Sequence, residues 1–182
     1  MTRLFVAVDL PRELKEAVAG IFTQLPGARW VPAEQIHLTL RFLGEVDAKE
    51  VPIIKQCLER VVFAPFPLVL RGVGHFPPGK YPRVIWVGID PSPPLLQLYE
   101  NIQGALAEAG FPPEERRFSP HVTLARLHGT PASATESLEA EHRQFCCPPF
   151  NVESFVLYSS VLSRTGAVHT PEAVLKASPA PA

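Results

Sequence analysis

The chain predicts an α+β fold, on three observations. Strand-like and helix-like segments are mixed without the strict strand–helix–strand rhythm of a doubly wound parallel sheet. The glycine fingerprints of nucleotide-binding folds are missing. Gly72-Val73-Gly74 runs into Pro77 where a third glycine is needed, and no GK[ST] or G-x-S-x-G string occurs. Finally, a tetrad recurs: His37-Leu38-Thr39-Leu40 and His121-Val122-Thr123-Leu124 stand 84 positions apart, one in each half.

The elements follow in order. Arg3 to Asp9 (RLFVAVD) is Val- and Phe-rich and stops at Leu10-Pro11, as a buried strand does. From Pro11 to Leu25 the apolar residues Leu14, Val18, Ile21, Phe22 and Leu25 step by three and four. That is a helical stripe, with the proline tolerated in its first turn. Arg29-Trp30-Val31 before Pro32 is a short extended piece, and Ile36 to Phe42 a strand. Ala48 to Val62 has helical spacing again, with Pro52 near its start. Phe66 to Val73 and Arg83 to Ile89 read as strands around a Pro/Gly-rich loop, and Leu95 to Ala109 as a helix closed by Gly110. A strand over His121 to Arg126 and a weaker helix over Ala134 to His142 come next. Phe150 to Leu162 and Val168 to Lys176 make a hairpin around Ser163-Arg164-Thr165-Gly166.

Composition narrows the function classes. With 182 residues the chain can bury a core without disulfides or metals. Seventeen Lys and Arg against eighteen Asp and Glu give a formal charge of -1, which argues against coating duplex nucleic acid by bulk charge but leaves room for a local phosphate site. Twenty-one prolines, about twice the usual share, act as rigid punctuation between elements. Cys57, Cys146 and Cys147 are odd in number and lack CxxC spacing, so neither a disulfide framework nor a zinc site is indicated. No apolar run is long enough for a signal h-region or a membrane helix, and the expectation is a cytoplasmic, reduced protein.

The tetrads carry the chemistry. Side chains alternate across a strand, so His37 and Thr39 share one face while Leu38 and Leu40 share the other, and His121 and Thr123 oppose Val122 and Leu124 in the same way. Each strand can bury its aliphatic face and present His and Thr to a cleft. Were the halves duplicates, two imidazoles would flank one substrate group, with two hydroxyls between them. Imidazoles titrate near ~6.5, so one can be neutral and the other protonated near neutrality. One base and one acid across a phosphorus centre suit an in-line displacement. The threonine hydroxyls can donate to non-bridging phosphate oxygens, and an arginine can balance their charge.

With their flanks, IHLTLRFLGEV and SPHVTLARL, the tetrads resemble the paired HxTx motifs of the 2H phosphoesterase superfamily. The opening RLFVAVDLP and the central FPPGKYPRVIWVGI are similar to its RNA 2',3'-cyclic phosphodiesterase branch, historically called 2'-5' RNA ligase. The resemblance spans about Arg3 to Lys176. It implies one bilobal domain over residues 1–177, two pseudo-symmetric lobes of antiparallel strands with helices outside and a central cleft. Residues 178–182 read as a flexible tail. It further implies His37 and His121 as catalytic acid and base, with the family pattern favouring His121 as base and His37 as acid. Thr39 and Thr123 would hold the phosphate. The implied reaction is hydrolysis of a terminal 2',3'-cyclic phosphate to a 2'-phosphomonoester, with weak reverse 2'-5' ligation and with no metal or other cofactor. The implied partners are RNA ends or nucleotides carrying the cyclic phosphate, without a membrane, and the expected state is a monomer. Two other readings stay open: a phosphodiesterase for 2',5'-oligoadenylate or small cyclic nucleotide phosphates, and a non-catalytic RNA-end binding module.

Two arginines compete for the phosphate. Strict alternation puts Arg41 on the His37 face and Arg126 on the face away from His121. The resemblance favours Arg126, which requires the strand to end or bulge near Ala125. Phe5, Phe42, Trp30 and Phe76 are candidate base platforms, though each is also an ordinary core residue. Arg71, Lys80, Arg83, Arg116 and Arg117 could form a basic track. His75, His128, His142 and His169 have no paired context, and His169 reads as hairpin surface.

Overall fold

A computed structural model describes residues 1–164 and 166–178. The expected tail lies outside these residues from Pro179 onward, as does Thr165 of the expected hairpin turn. In chain order the elements are β1 (Thr2–Asp9), α1 (Arg12–Ala19), β2 (Ala28–Trp30), a 3-10 turn (Ala33–Gln35), β3 (His37–Val46), α2 (Val51–Leu58), β4 (Phe66–Leu68), β5 (Leu70–Phe76), β6 (Val84–Ile89), α3 (Pro93–Glu108), β7 (His121–Leu127), α4 (Ala132–Glu141), β8 (Phe150–Val152), β9 (Ser154–Ser163) and β10 (Gly166–Lys176).

The architecture is α+β and bilobal. One antiparallel leaf runs β10-β9-β1-β3 and the other β7-β6-β5, with β2 alongside β7, and the leaves meet between β3 and β7. The seam is the single pair Leu38–Val122. Both residues are fully buried, in one apolar cluster with Leu4, Val6 and Val8 of β1 and with the inward residues of α1, α2, α3 and α4. The helices therefore cover the aliphatic face of the leaves. The opposite face, carrying the histidines and threonines, is left for the cleft. Burying each large aliphatic side chain contributes about 1.5–3 kcal/mol, so the aliphatic faces pin the register of the strands that carry the tetrads.

Several elements are shorter or more divided than the sequence pattern predicts. α1 stops at Ala19, where the N–H of Gly20 closes the last turn on Glu16 and Ala17 and the chain leaves the helix before Leu25. α2 covers only Val51–Leu58, with Pro52 in its first turn where no N–H is required. The expected strand over Phe66–Val73 is two strands, and so is Phe150–Leu162. β4 and β8 pair with each other in a small separate sheet before the chain enters the main one as β5 and β9. Both stretches are largely apolar, so pattern alone could not mark the switch between sheets. Among the described residues no helix is long and apolar enough to cross a membrane.

Candidate active site

Antiparallel pairing at Leu38–Val122 sets His37 across from Thr123 and Thr39 across from His121, on the face opposite the aliphatic pair. Directly opposed residues have Cβ atoms about 4.5–5.5 Å apart. The seam thus gathers the two tetrads into one constellation around a pseudo-two-fold axis. Two adjoining cavities share Thr39, Phe42, Thr123 and Arg126 in their walls. The one of about 390 Å³ is lined by His37, and the one of about 610 Å³ by His121. They are the two halves of one cleft, with the threonines and Arg126 where they join.

Each imidazole is oriented in the same way. The Nδ1 of His37 lies 2.6 Å from the carbonyl of Gln35, and the Nδ1 of His121 lies 2.7 Å from the carbonyl of Ser119. A carbonyl can only accept, so both Nδ1 atoms carry hydrogen and each neutral ring keeps its basic lone pair on Nε2. An aromatic ring backs each histidine. Phe5 stacks on His37 at 4.9 Å, and Phe76 meets His121 edge-on at 5.0 Å.

The arginines separate at a bulge that both halves share. Val6 pairs with Arg41 and Ala7 with Thr39, so Leu40 is an extra residue in β3. Ile85 pairs with Ala125 and Trp86 with Thr123, so Leu124 is the extra residue in β7. A bulge moves the side chains after it to the other face. Arg41 is therefore turned to the other face than strict alternation gives, away from His37, while it still lines the larger cavity with Thr39 and His121. It is 6% exposed, its guanidinium donates to the Pro112 carbonyl, and it stands 3.8 Å from Glu114. Its counterpart in the other half is Ala125, and the counterpart of Phe42 is Arg126. Both of the latter return to the cleft face, exposed and lining both cavities.

The remaining candidates disperse. Phe42 is 58% exposed at the centre of the cleft, whereas Phe5 is buried beneath His37. Trp30 is structural, stacked on Phe22 at 4.7 Å with its indole N–H on the Thr23 carbonyl. Of the basic residues, Arg116 and Arg117 line the larger cavity, while Arg71 pairs with Asp90 at 2.8 Å outside the cleft. His75 does have a partner, Glu139 of α4, in a partly buried pair outside the cleft. Among the described residues no group of three or more His, Cys, Asp and Glu is placed to hold a metal.

The sequence pattern does not reveal one further cleft residue. His169 is not hairpin surface. Its ring meets His37 edge-on at 5.5 Å and Phe5 at 4.9 Å, and it lines the cleft. The end of the β9–β10 hairpin curls back over the 3-10 turn, where the Gln35 amide donates to the Ala167 carbonyl at 2.6 Å. No local signal announces a contact spanning that much of the chain.

Burial is the main cause that pushes the His37 imidazole down to about 4, with the nearby His169 adding to the effect and the Gln35 carbonyl and Asp9 opposing it. The unfolded chain, titrating near ~6.5, then binds the extra proton, so the contribution of His37 to stability is complete above about pH 6.5 and is lost as pH falls toward 4. The expected loss over that window is ~3 kcal/mol. A His37→Gln variant should show a correspondingly flatter pH dependence of its urea midpoint. Equal slopes in both proteins would contradict the assignment.

Known proteins resemble this chain in sequence and in fold. The model of the family described as "LigT like Phosphoesterase" matches twice, over residues 6–86 and 87–169, one match per tetrad. The RNA 2',3'-cyclic phosphodiesterase of Thermotoga maritima is 36% identical over 175 residues, covering 92% of this chain and 91% of that protein. The Escherichia coli K12 protein of the same description is 33% identical, covering 93% of each. Among solved structures, TT0787 of Thermus thermophilus superposes with a TM-score of 0.80 at 32% identity, covering 96% of this chain and 97% of that one. Escherichia coli LigT complexed with 3'-AMP gives 0.76 at 29% identity, covering 97% and 98%.

Proposed function

The chain belongs to the LigT-like phosphoesterases, and on that premise we propose that it opens terminal 2',3'-cyclic phosphates of RNA to 2'-phosphomonoesters by acid–base catalysis between His121 and His37. One observation carries this reading. Two imidazoles, each tethered through Nδ1 to a carbonyl two residues upstream, stand on either side of Thr39, Thr123 and Arg126. The relatives' described activity and the 3'-AMP complex of the Escherichia coli protein support it.

The cyclic phosphate lies between the threonine hydroxyls, which donate to its non-bridging oxygens, with Arg126 balancing the charge. His121 takes a proton from water as the water oxygen bonds to phosphorus. The bond to the 3'-oxygen breaks in line with that attack, and His37 gives its proton to the departing oxygen. His37 is neutral in the free protein, so its proton arrives with the substrate: an anion held beside the ring raises its affinity for a proton. With an RNA 5'-hydroxyl in place of the water, the same displacement of the 3'-oxygen yields a 2'-5' linkage. Both half-sites come from one chain, so one copy completes the site, and we read the protein as acting as a monomer.

The test is incubation of the protein, in EDTA, with an RNA oligonucleotide ending in a 2',3'-cyclic phosphate, beside 2',5'-oligoadenylate and nucleoside 2',3'-cyclic phosphates. The expected product is a 2'-phosphate end, formed faster from the RNA than from the other two. Preference for either of those would move the substrate assignment. A folded protein that retains the RNA without converting it would replace the enzyme by an end-binding module.

A further inference from the structure

His37 has three aromatic neighbours on the first leaf, and one of them, His169, can itself carry charge. Phe5 stacks on His37 with 28° between the planes, and His169 stands edge-on to both rings, at 74° to His37 and 72° to Phe5. The three rings form a closed triangle. Gln35 fastens two of its corners: its backbone carbonyl holds His37, and its side chain holds Ala167, two residues before His169. The symmetry mate of Gln35 is Ser119, whose side chain is shorter, and the second half-site has an aromatic edge, Phe76, with no further imidazole lining it among the described residues.

His37 and His169 also form the wall between the cleft and a smaller cavity of about 220 Å³ behind them, which Asp9, Glu34 and Tyr158 also line. The titratable and charged groups around His37 come from every element packed around it: Arg3 and Asp9 of β1, Lys15 of α1, Glu34 of the 3-10 turn, Arg126 of β7, Tyr158 of β9 and His169 of β10. Asp9 and Lys15 pair with each other at 2.7 Å and act on His37 in opposite senses, Asp9 the more strongly. His169 lies within the distance at which a like charge disfavours protonation, and burial lowers its own proton affinity as well.

We propose that His169 is a positioning residue for the reaction: a charge on its imidazole opposes a charge on that of His37, so His169 adds to the burial that keeps His37 neutral until the anionic substrate binds. Protonating either ring opposes protonating the other, as like charges at this separation do. A bound phosphodiester anion beside His37 then selects that ring for the proton. The catalytic consequence rests on the phosphodiesterase reading; the coupling itself does not.

The test uses the intact protein and two variants, His169→Phe, which keeps an aromatic ring at the triangle, and His169→Gln, which keeps polarity without a titrating ring. The imidazole signals of His37 are followed by NMR across pH in the free protein. In both variants its midpoint is expected to rise by about 0.5–1 pH unit, since the like charge has gone. The acid limb of kcat/KM on cyclic-phosphate RNA should move upward with it, whatever the overall rate. A His37 midpoint unchanged to within about 0.2 unit in the variant that folds overturns the proposal, because a purely packing role would lower the rate at all pH values without moving the limb. Should the protein turn over no cyclic phosphate at all, the NMR titration decides the coupling alone.

Discussion

Replacing either His37 or His121 by alanine is expected to reduce turnover of a 2',3'-cyclic-phosphate RNA end by about 10²–10⁴-fold, the range associated with loss of one acid or base. Folding should persist, since both rings lie on the cleft face and the aliphatic faces of β3 and β7 stay intact. The two losses separate when the leaving group is changed. A nucleoside phosphodiester with a p-nitrophenyl leaving group needs no proton on departure, so His37→Ala should recover to within about tenfold of wild type while His121→Ala stays impaired. Recovery of His121→Ala instead would exchange the roles. A pH profile alone cannot make this distinction, because swapping acid and base gives the same bell. The leaving-group series can.

The second large effect separates the two arginines. Arg126→Met should lower kcat/KM by about 10²–10³-fold, the usual cost of removing one positioned donor from a developing phosphoryl charge, with little change in stability because Arg126 is exposed. Arg41→Met should do the opposite. Its guanidinium is buried against the Pro112 carbonyl and Glu114, so its removal is expected to cost about 1–3 kcal/mol of stability and only a few-fold in rate. Urea unfolding beside initial rates for both variants gives the answer. A rate loss larger for Arg41→Met than for Arg126→Met would place the phosphate cation in the wrong half.

The tetrads were legible because everything they need is local: His and Thr two residues apart share a strand face, and the aliphatic residues between them share the other. The α+β class and the position of most strands came from the same periodicities. The bulges at Leu40 and Leu124 were not legible, since an extra residue turns the next side chains to the other face without altering composition. This is why Arg41 and Arg126 trade places relative to strict alternation. The division of Phe66–Val73 and Phe150–Leu162 depends on which distant segment offers a free edge, and β4 and β8 find theirs in each other.

By itself, then, the amino-acid order determined the two His–Thr pairs, their repetition in both halves and the strands that carry them. Only the tertiary structure decided that one buried pair, Leu38 with Val122, would bring those halves into register. It also decided that the β9–β10 hairpin would curl back to set His169 against His37. The division has a physical cause. Strand faces arise from the geometry of neighbouring residues, whereas the burial and charge around His37 come from Phe5, Tyr158 and His169, brought together from opposite ends of the chain by packing.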